Sequence, residues 1–378
     1  MKTILLIGEY SRLHNSLKEG LQKLGHHVIL VSSGDGFKGY PADFSIEAKW
    51  CKFKIVHFFR QVLLKISGLD LQKLERGIRF YGLLGHFKNF DVVQLINETP
   101  IQTIKCFELF LLKKIFASNK KVFLLSCGVD YLSLQWMLAN PTKKTILLPY
   151  FQDSTKRQLF DYVLEYGTTA HRKLHEVVYQ NCAGIIASDI DYVLPLQGDK
   201  KFLGLIPNPI NIEKLEVIDF EIGDKIVIFL GKNKWNALQK GTAYFEQALA
   251  MILKAFPNKV QVMVVENVPY QQYIKSYNEA HIVLDQMFGY DQGYNALEAM
   301  AKGKVVFTCA EKEFENQYAL TEKVAINAKP DVDYLVKELT FLIENPSELY
   351  RISANARAFI TQHHNYLKIS EKYLSTWF

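Results

Sequence analysis

The stretch "KTILLIGEYSRLHNSLKEGLQKLGHHVILVSSGDG", residues 2–36, decides the fold. Its first part, "KTILLIG", is an apolar, β-leaning run closed by a glycine; "SLKEGLQKLG" has helical spacing, and "HHVILVSSGDG" is a second strand-like run. A strand, a helix and a strand in that order make a β-α-β unit. Further strand-like runs in "FDVVQLI", "KKVFLLSCG" and "CAGIIAS", separated by longer helical segments, extend the alternation to about residue 205. A parallel sheet follows from it.

The segment "GLIPNPINIEKLEVIDFEIGDK", residues 204–225, then breaks the periodicity with two prolines around Asn208 and acidic, irregular sequence, and reads as an interdomain linker. The alternation restarts with "KIVIFLG", a helix in "GTAYFEQALAMILKAF", then "VQVMVVE", "YQQYIKSYNEA", "HIVLDQ" and "KVVFTC". The expected architecture is α/β, with two Rossmann-like, doubly wound domains facing across a cleft. Their bounds are 1–205 and 206–350. Residues 351–378 are expected to be helical and, with the aromatic end "YLSTWF", to pack back toward the N-terminal domain.

The bulk composition agrees. A chain of 378 residues exceeds one ordinary core and suits two domains of about 150–200 residues. With 49% hydrophobic and 22% charged residues it is a folded, soluble type of chain. The first apolar run is too short for a signal peptide, and no stretch reaches the roughly 18 uncharged apolar residues of a membrane span. Cys51, Cys106, Cys127, Cys182 and Cys309 stand singly without CxxC spacing, which argues against a disulfide framework or zinc knuckle and for a reducing cytoplasm. A net charge of +6 is mild for this length and does not point to nucleic acid.

In open α/β sheets, ligands bind beyond the carboxyl ends of the strands, where helix N-termini aim N–H groups at anions. The first β-α turn, "GEYSRLHN", lacks G-x-G-x-x-G, which disfavours a dinucleotide enzyme. The loop "GKNKWNALQKGT", residues 231–242, follows a strand and leads into a helix, clustering Lys232, Lys234 and Lys240 over Gly241. Such lysines with backbone N–H groups suit a diphosphate, although a solvated basic loop is the plainer alternative. About fifty residues on lies "GYDQGYNALEAMAKGK", residues 289–304, where Gly293 permits close backbone approach and a helix begins near Tyr294. Ala296, Leu297, Ala299, Met300 and Ala301 read as core, so Glu298 in their midst needs a reason. A carboxylate one turn inside that helix can accept two ribose hydroxyls at once; pairing within the helix is the structural alternative.

"IPNPIN", then G-x-N-K-x5-K-G at 231–241, "YNEAHIVLDQ" at 277–286 and "GYNALEAMAKGKVV" at 293–306 resemble, in order and spacing, the C-terminal half of group 1 glycosyltransferases of the GT-B fold. The resemblance is close over residues 206–308 and general elsewhere. It implies a retaining transferase that needs no metal and uses a nucleotide-diphospho-sugar donor. By that resemblance Lys234 (or Lys232) and Lys240 bind the donor diphosphate, Glu298 binds the ribose, and the N–H groups of Gly293, Tyr294 and Asn295 lie under the phosphates. The family pattern has a second acid eight residues before Glu298, where this chain has Tyr290. Either Asp285 or Asp291 substitutes for it, or sugar recognition differs. Lys232 also stands where the family often has arginine.

On the acceptor side, His14 at the first strand end and Asp130 in "SCGVDY" are the expected polar contacts, with Cys127 where the family often has histidine. Asp189 and Asp191 have D-x-D spacing but sit between a strand and a helix, as an N-cap would. His171 and His175, four apart, lack a third zinc ligand. The segment "KWCKFKIVHFFRQVLLKIS", residues 49–67, interleaves Lys49, Lys52, Lys54, Arg60 and Lys65 with Trp50, Phe53, Phe58 and Phe59, and no acid occurs from Ala48 through Leu69. It resembles an interfacial amphipathic helix for an anionic membrane more than a nucleic-acid grip; a core helix with a basic edge is the alternative.

The expectation is therefore a cytoplasmic glycosyltransferase, peripheral to the inner membrane leaflet, that moves sugar to a glycan or lipid-linked acceptor. A nucleotide-sugar 2-epimerase of the same fold and a non-catalytic sugar-nucleotide-binding protein are the other readings.

Overall fold

The computed structural model describes residues 1–215, 221–233, 236–266 and 270–378, the side chains of 37, 154 and 270–273 excepted. Among the described residues, strands β1 (Thr3–Ile7), β2 (His27–Ser32), β3 (Phe44–Ser45), β4 (Val92–Leu95), β5 (Val122–Ser126), β6 (Gly184–Ala187) and β7 (Phe202–Leu205) form one sheet in the order β3-β2-β1-β4-β5-β6-β7. Strands β8 (Ile226–Lys232), β9 (Val260–Glu266), β10 (Ile282–Leu284), β11 (Val305–Thr308) and β12 (Ile326–Asn327) form a second, in the order β12-β11-β10-β8-β9. Every pairing is parallel. Parallel strands covered by helices are apolar throughout, and β1, β4, β5 and β11 are accordingly buried almost end to end.

The chain divides into two compact units: residues 1–136, 161–209 and 366–378, and residues 137–160 and 210–365. The change of unit at Pro209 and Ile210 lies within the irregular segment read as a linker, of which 216–220 fall outside the described residues. Two assignments differ from the sequence boundaries. Residues 137–160, placed by sequence in the first domain, belong to the second unit, because Leu148 packs on its core and Lys144 Nζ reaches Glu311 Oε1 (2.5 Å) and the Ala328 carbonyl (2.8 Å). The tail itself is divided. Helix Pro346–His363 stays in the second unit, burying Leu349, Ile352 and Phe359, while helix Tyr366–Trp377 belongs to the first.

That last helix lies against helix Leu13–Lys23. A Cβ on Gly20 would overlap Ser370, so only glycine allows the approach. Tyr373 and Trp377 are fully buried, and Lys121 Nζ donates to the Trp377 carbonyl at 2.9 Å. In each unit the core lies on the faces of its sheet: Leu5, Val93, Leu124 and Ile185 in the first, Ile228, Leu284, Phe307 and Leu249 in the second.

Candidate functional site

The strand order of the second sheet reverses between β8 and β10, and such a switch point opens a crevice at the carboxyl ends of the two strands. Three of the expected site residues meet there. Asp285, the residue after β10, is buried and anchored by its N–H to the Phe307 carbonyl (2.9 Å). Its Oδ1 accepts from Lys240 Nζ at 2.8 Å and from Asn295 Nδ2 at 3.1 Å. Lys240 keeps part of its side chain in solvent, whereas the Asp285 side chain is 2% exposed.

Local backbone explains how Lys240 is placed. It ends the short helix Ala237–Lys240, and Gly241 then turns the chain in the left-handed region (φ 72°) to start helix Thr242–Ala255. A Cβ at Gly241 would overlap the Met287 side chain, so the position demands glycine on two counts. Lys234 lies outside the described residues. Lys232, at the end of β8, is drawn to another group: its Nζ lies 2.6 Å from Glu246 and 3.4 Å from Glu266. The Glu246 hydrogen bond, aided by these two charges, raises its pKa above the ordinary lysine range. It is not joined to Lys240 by any contact among the described residues.

Helix Tyr294–Ala301 begins at Gly293, which provides no side-chain cap. An N-terminus of this kind presents backbone donors and the positive end of the helix dipole. Gly293 has an ordinary φ of −70°, and an added Cβ would come no nearer than 3.5 Å to Gln286, so the protein itself does not require glycine there. Ala296, Leu297, Ala299, Met300 and Ala301 are buried, as the apolar pattern required; Asn295 and Glu298, three apart on one face, are half-exposed. The solvent-accessible polar side chains of this helix start are therefore two of those for which a ligand role was expected.

Tyr290, Asp291 and Tyr294 are buried instead. Asp291 Oδ1 accepts from the Gln292 N–H at 2.7 Å, and the Tyr290 carbonyl accepts from the Glu311 N–H at 3.3 Å. Glu311 is an acid that no motif singled out. Burial alone would raise its pKa, but the Lys144 ammonium and Asn327 outweigh that and hold it below the usual range. Gln292, fully buried with Nε2 on the Cys309 carbonyl (2.8 Å), was also missed; between Asp291 and Gly293 it reads as an ordinary turn residue.

The two acceptor-side expectations are corrected. His14 is fully buried, with Nδ1 2.7 Å from the Gly8 carbonyl and Nε2 3.4 Å from Gln94 Nε2. Burial pushes its pKa down to about 3, so it is a neutral packing group beneath the first strand end. Beside it, burial pushes Glu9 up to about 8 although the Asn15 side chain and backbone N–H groups donate to it. Asp130 spends both oxygens within the protein: Oδ1 accepts from the Ser133 N–H and Oδ2 from Ser126 Oγ, each at 2.7 Å. That is a helix cap for Tyr131–Ala139.

Asp189 takes the N-cap position of helix Ile190–Leu196 without a side-chain cap hydrogen bond. His175 pairs with the buried Glu98 (2.5 Å) and His171 with Thr168 Oγ1 (3.1 Å), so the two rings serve separate partners.

Residues 230–375 match the family of proteins described as glycosyl transferase-like. Among curated proteins none matches the sequence. Solved structures of similar fold include sucrose-phosphate synthase from Thermosynechococcus elongatus (13% identity, 100% of this chain and 98% of that one, TM-score 0.62). Anabaena HepE in complex with UDP-glucose is similar too (13% identity, 100% and 99% covered, TM-score 0.57). So is a UDP-N-acetylglucosamine 2-epimerase, so described, from Listeria monocytogenes (10% identity, 99% and 95% covered, TM-score 0.55). At these identities the likeness is one of fold.

Proposed function

We propose that the chain is a glycosyltransferase of the GT-B fold that moves a sugar, with retention, from a nucleotide-diphospho-sugar to a glycan or lipid-linked acceptor in polysaccharide or glycolipid synthesis. The observation that carries this reading is the array of Lys240, Asp285 and Asn295 at the switch point, beside the helix that starts at Gly293. Lys240 offers a cation to the donor diphosphate, and the Gly293 end of the helix offers backbone donors. Glu298, half-exposed one turn further on, accepts the ribose hydroxyls. The binding of UDP-glucose by HepE supports a nucleotide sugar of this kind.

In the transfer, the bond between sugar C1 and the diphosphate oxygen breaks and its electron pair leaves on the phosphate. The acceptor hydroxyl forms the new C1–O bond on the same face and gives up its proton to that phosphate oxygen. Charge develops on the diphosphate, and Lys240 and the helix dipole stabilise it there, the task a metal ion has in other transferases. Asp285 keeps Lys240 oriented until the diphosphate arrives. The work is placed in the cytoplasm, at the inner face of a membrane.

The test is a panel of nucleotide sugars, read first as thermal stabilisation and then as sugar transfer to glycan and lipid acceptors. Stabilisation and transfer that both vanish in Lys240→Ala agree with the proposal; full transfer by that variant sinks it. The fold shared with the 2-epimerase favours one alternative: conversion of donor without any acceptor would choose it. Binding without turnover would choose a non-catalytic role, to which Tyr290 in place of an acid would belong.

A further inference from the structure

Helix Lys54–Ser67 is built the wrong way round for a helix of a soluble domain. Among the described residues, none of its 14 is buried. Its inward side is the half-buried row Val56, Arg60 and Leu63, and Val62, which falls with the outer residues, is half-buried too. At about 100° per residue, Ile55, Phe58, Phe59 and Ile66 fall on a separate stripe, and these are 73%, 64%, 54% and 79% exposed. Phe53, just before the helix, is 67% exposed. A surface helix ordinarily turns its apolar stripe to the core; this one turns it to solvent.

The stripe is also held firmly in place by polar groups. Arg60 makes a two-point contact with Asp70 (2.6 and 3.0 Å), which also caps the next helix through the Gln72 N–H. Upstream, the buried Glu75 accepts the N–H groups of Lys49, Trp50 and Cys51 at 2.6, 2.9 and 3.2 Å. Arg79, ion-paired to Glu75, stacks over Trp50. Anchored upstream by these backbone hydrogen bonds and along its length by the Arg60–Asp70 ion pair, the helix leaves its phenylalanines exposed. Large apolar side chains displayed on a rigid mount mark a docking surface.

We propose that this face seats the protein on an anionic lipid bilayer, which deepens, and rests on, the membrane placement proposed above. Charge chooses the occupant. Lys54 and Lys65 border the stripe, Lys49 and Lys52 lie upstream, and no acid interrupts from Ala48 to Leu69. Lysine stems lie along an apolar surface while their ammonium groups reach lipid phosphates, and aromatic rings settle at headgroup depth. A second copy of the chain docking by two-fold symmetry would instead bring the lysines of both copies to one apolar seam. Among the described residues no helix is long and apolar enough to cross a membrane, so the contact is a surface one.

The test is flotation of the full chain with vesicles of phosphatidylcholine alone or mixed with phosphatidylglycerol. Expected is recovery with the anionic vesicles that falls as salt rises and is about tenfold lower with neutral ones. Phe58→Ser with Ile66→Ser, and separately Lys54→Glu with Lys65→Glu, should each lower recovery about tenfold while the melting temperature, checked first, stays unchanged. The salt series on the unaltered chain needs no variant to fold. Equal recovery with both vesicles, no recovery at all, or unaltered binding by both variants overturns the proposal. A dimer in sedimentation velocity that Phe58→Ser dissociates assigns the face to a second copy and overturns it too. Flotation requires no turnover, so it fails or succeeds independently of the transferase assignment.

Discussion

Lys240 Nζ lies 2.8 Å from Asp285 Oδ1, with the carboxylate buried and the ammonium partly in solvent. Removing only one partner should therefore have separable effects on stability and binding. Lys240→Ala leaves Asp285 with Asn295 alone and should cost about 1–3 kcal/mol of stability. Adding Asp285→Asn should restore the melting temperature but not nucleotide binding. Isothermal titration with UDP is the measurement; a double variant that binds like the original protein rules out Lys240 as the diphosphate ligand.

Glu298 and Lys240 are assigned to different parts of the donor, and that division is testable. Glu298→Gln should weaken UDP about 10-fold or more, since a hydrogen bond to a charged group is worth roughly 1.5–3 kcal/mol, yet leave competition by inorganic pyrophosphate unchanged. Lys240→Ala should weaken both. Identical profiles for the two variants would remove the ribose role.

Gly241→Ala should destabilise by about 1–3 kcal/mol, from a side chain at positive φ and its collision with Met287. Because Lys240 is the neighbouring residue, UDP affinity should fall in the same variant. Urea unfolding and the same titration give the two numbers, and a neutral result in both contradicts the geometry.

His14 supplies the pH dependence. Its folded pKa of about 3 lies below the ordinary value of 6.5, so the unfolded chain binds more protons between those values. The stability His14 contributes is complete above pH 6.5 and is lost as pH falls toward 3. His14→Gln should be less stable than the original at pH 7.5, and the gap should narrow steadily by pH 4.5. Melting temperatures across that range decide it; a constant gap would mean that the ring is not held neutral.

Much of the fold was legible in the sequence because parallel strands are continuous apolar runs, and β1, β2, β5, β8, β9 and β11 all announce themselves that way. The edge strands β3 and β12, two residues each, are too short to carry a pattern. Lys240, Asp285 and Asn295 could be singled out together because strand ends and helix starts can be located from sequence. His14 and Asp130 were misjudged for a reason of the same kind: a strand end places a residue near a binding edge but does not say whether its neighbours use up its polar atoms. Gly8 and Gln94 do so for His14, Ser126 and Ser133 for Asp130. Residues 137–160 were assigned to the wrong unit because their membership is set by Lys144 and Leu148 meeting residues far along the chain.

The helix Tyr366–Trp377 gives the first unit a peculiar order of assembly. Ribosomes deliver a chain from its N-terminus, and domains ordinarily fold in that sequence. Here the sheet begun at Thr3 stays open beside Gly20 and Lys121 until Ser370, Tyr373 and Trp377 arrive, after the second unit's residues 210–365 have been made. The first unit to be translated is the last to be completed, and a nascent chain stalled short of residue 366 would hold an unsealed apolar surface for a chaperone to cover.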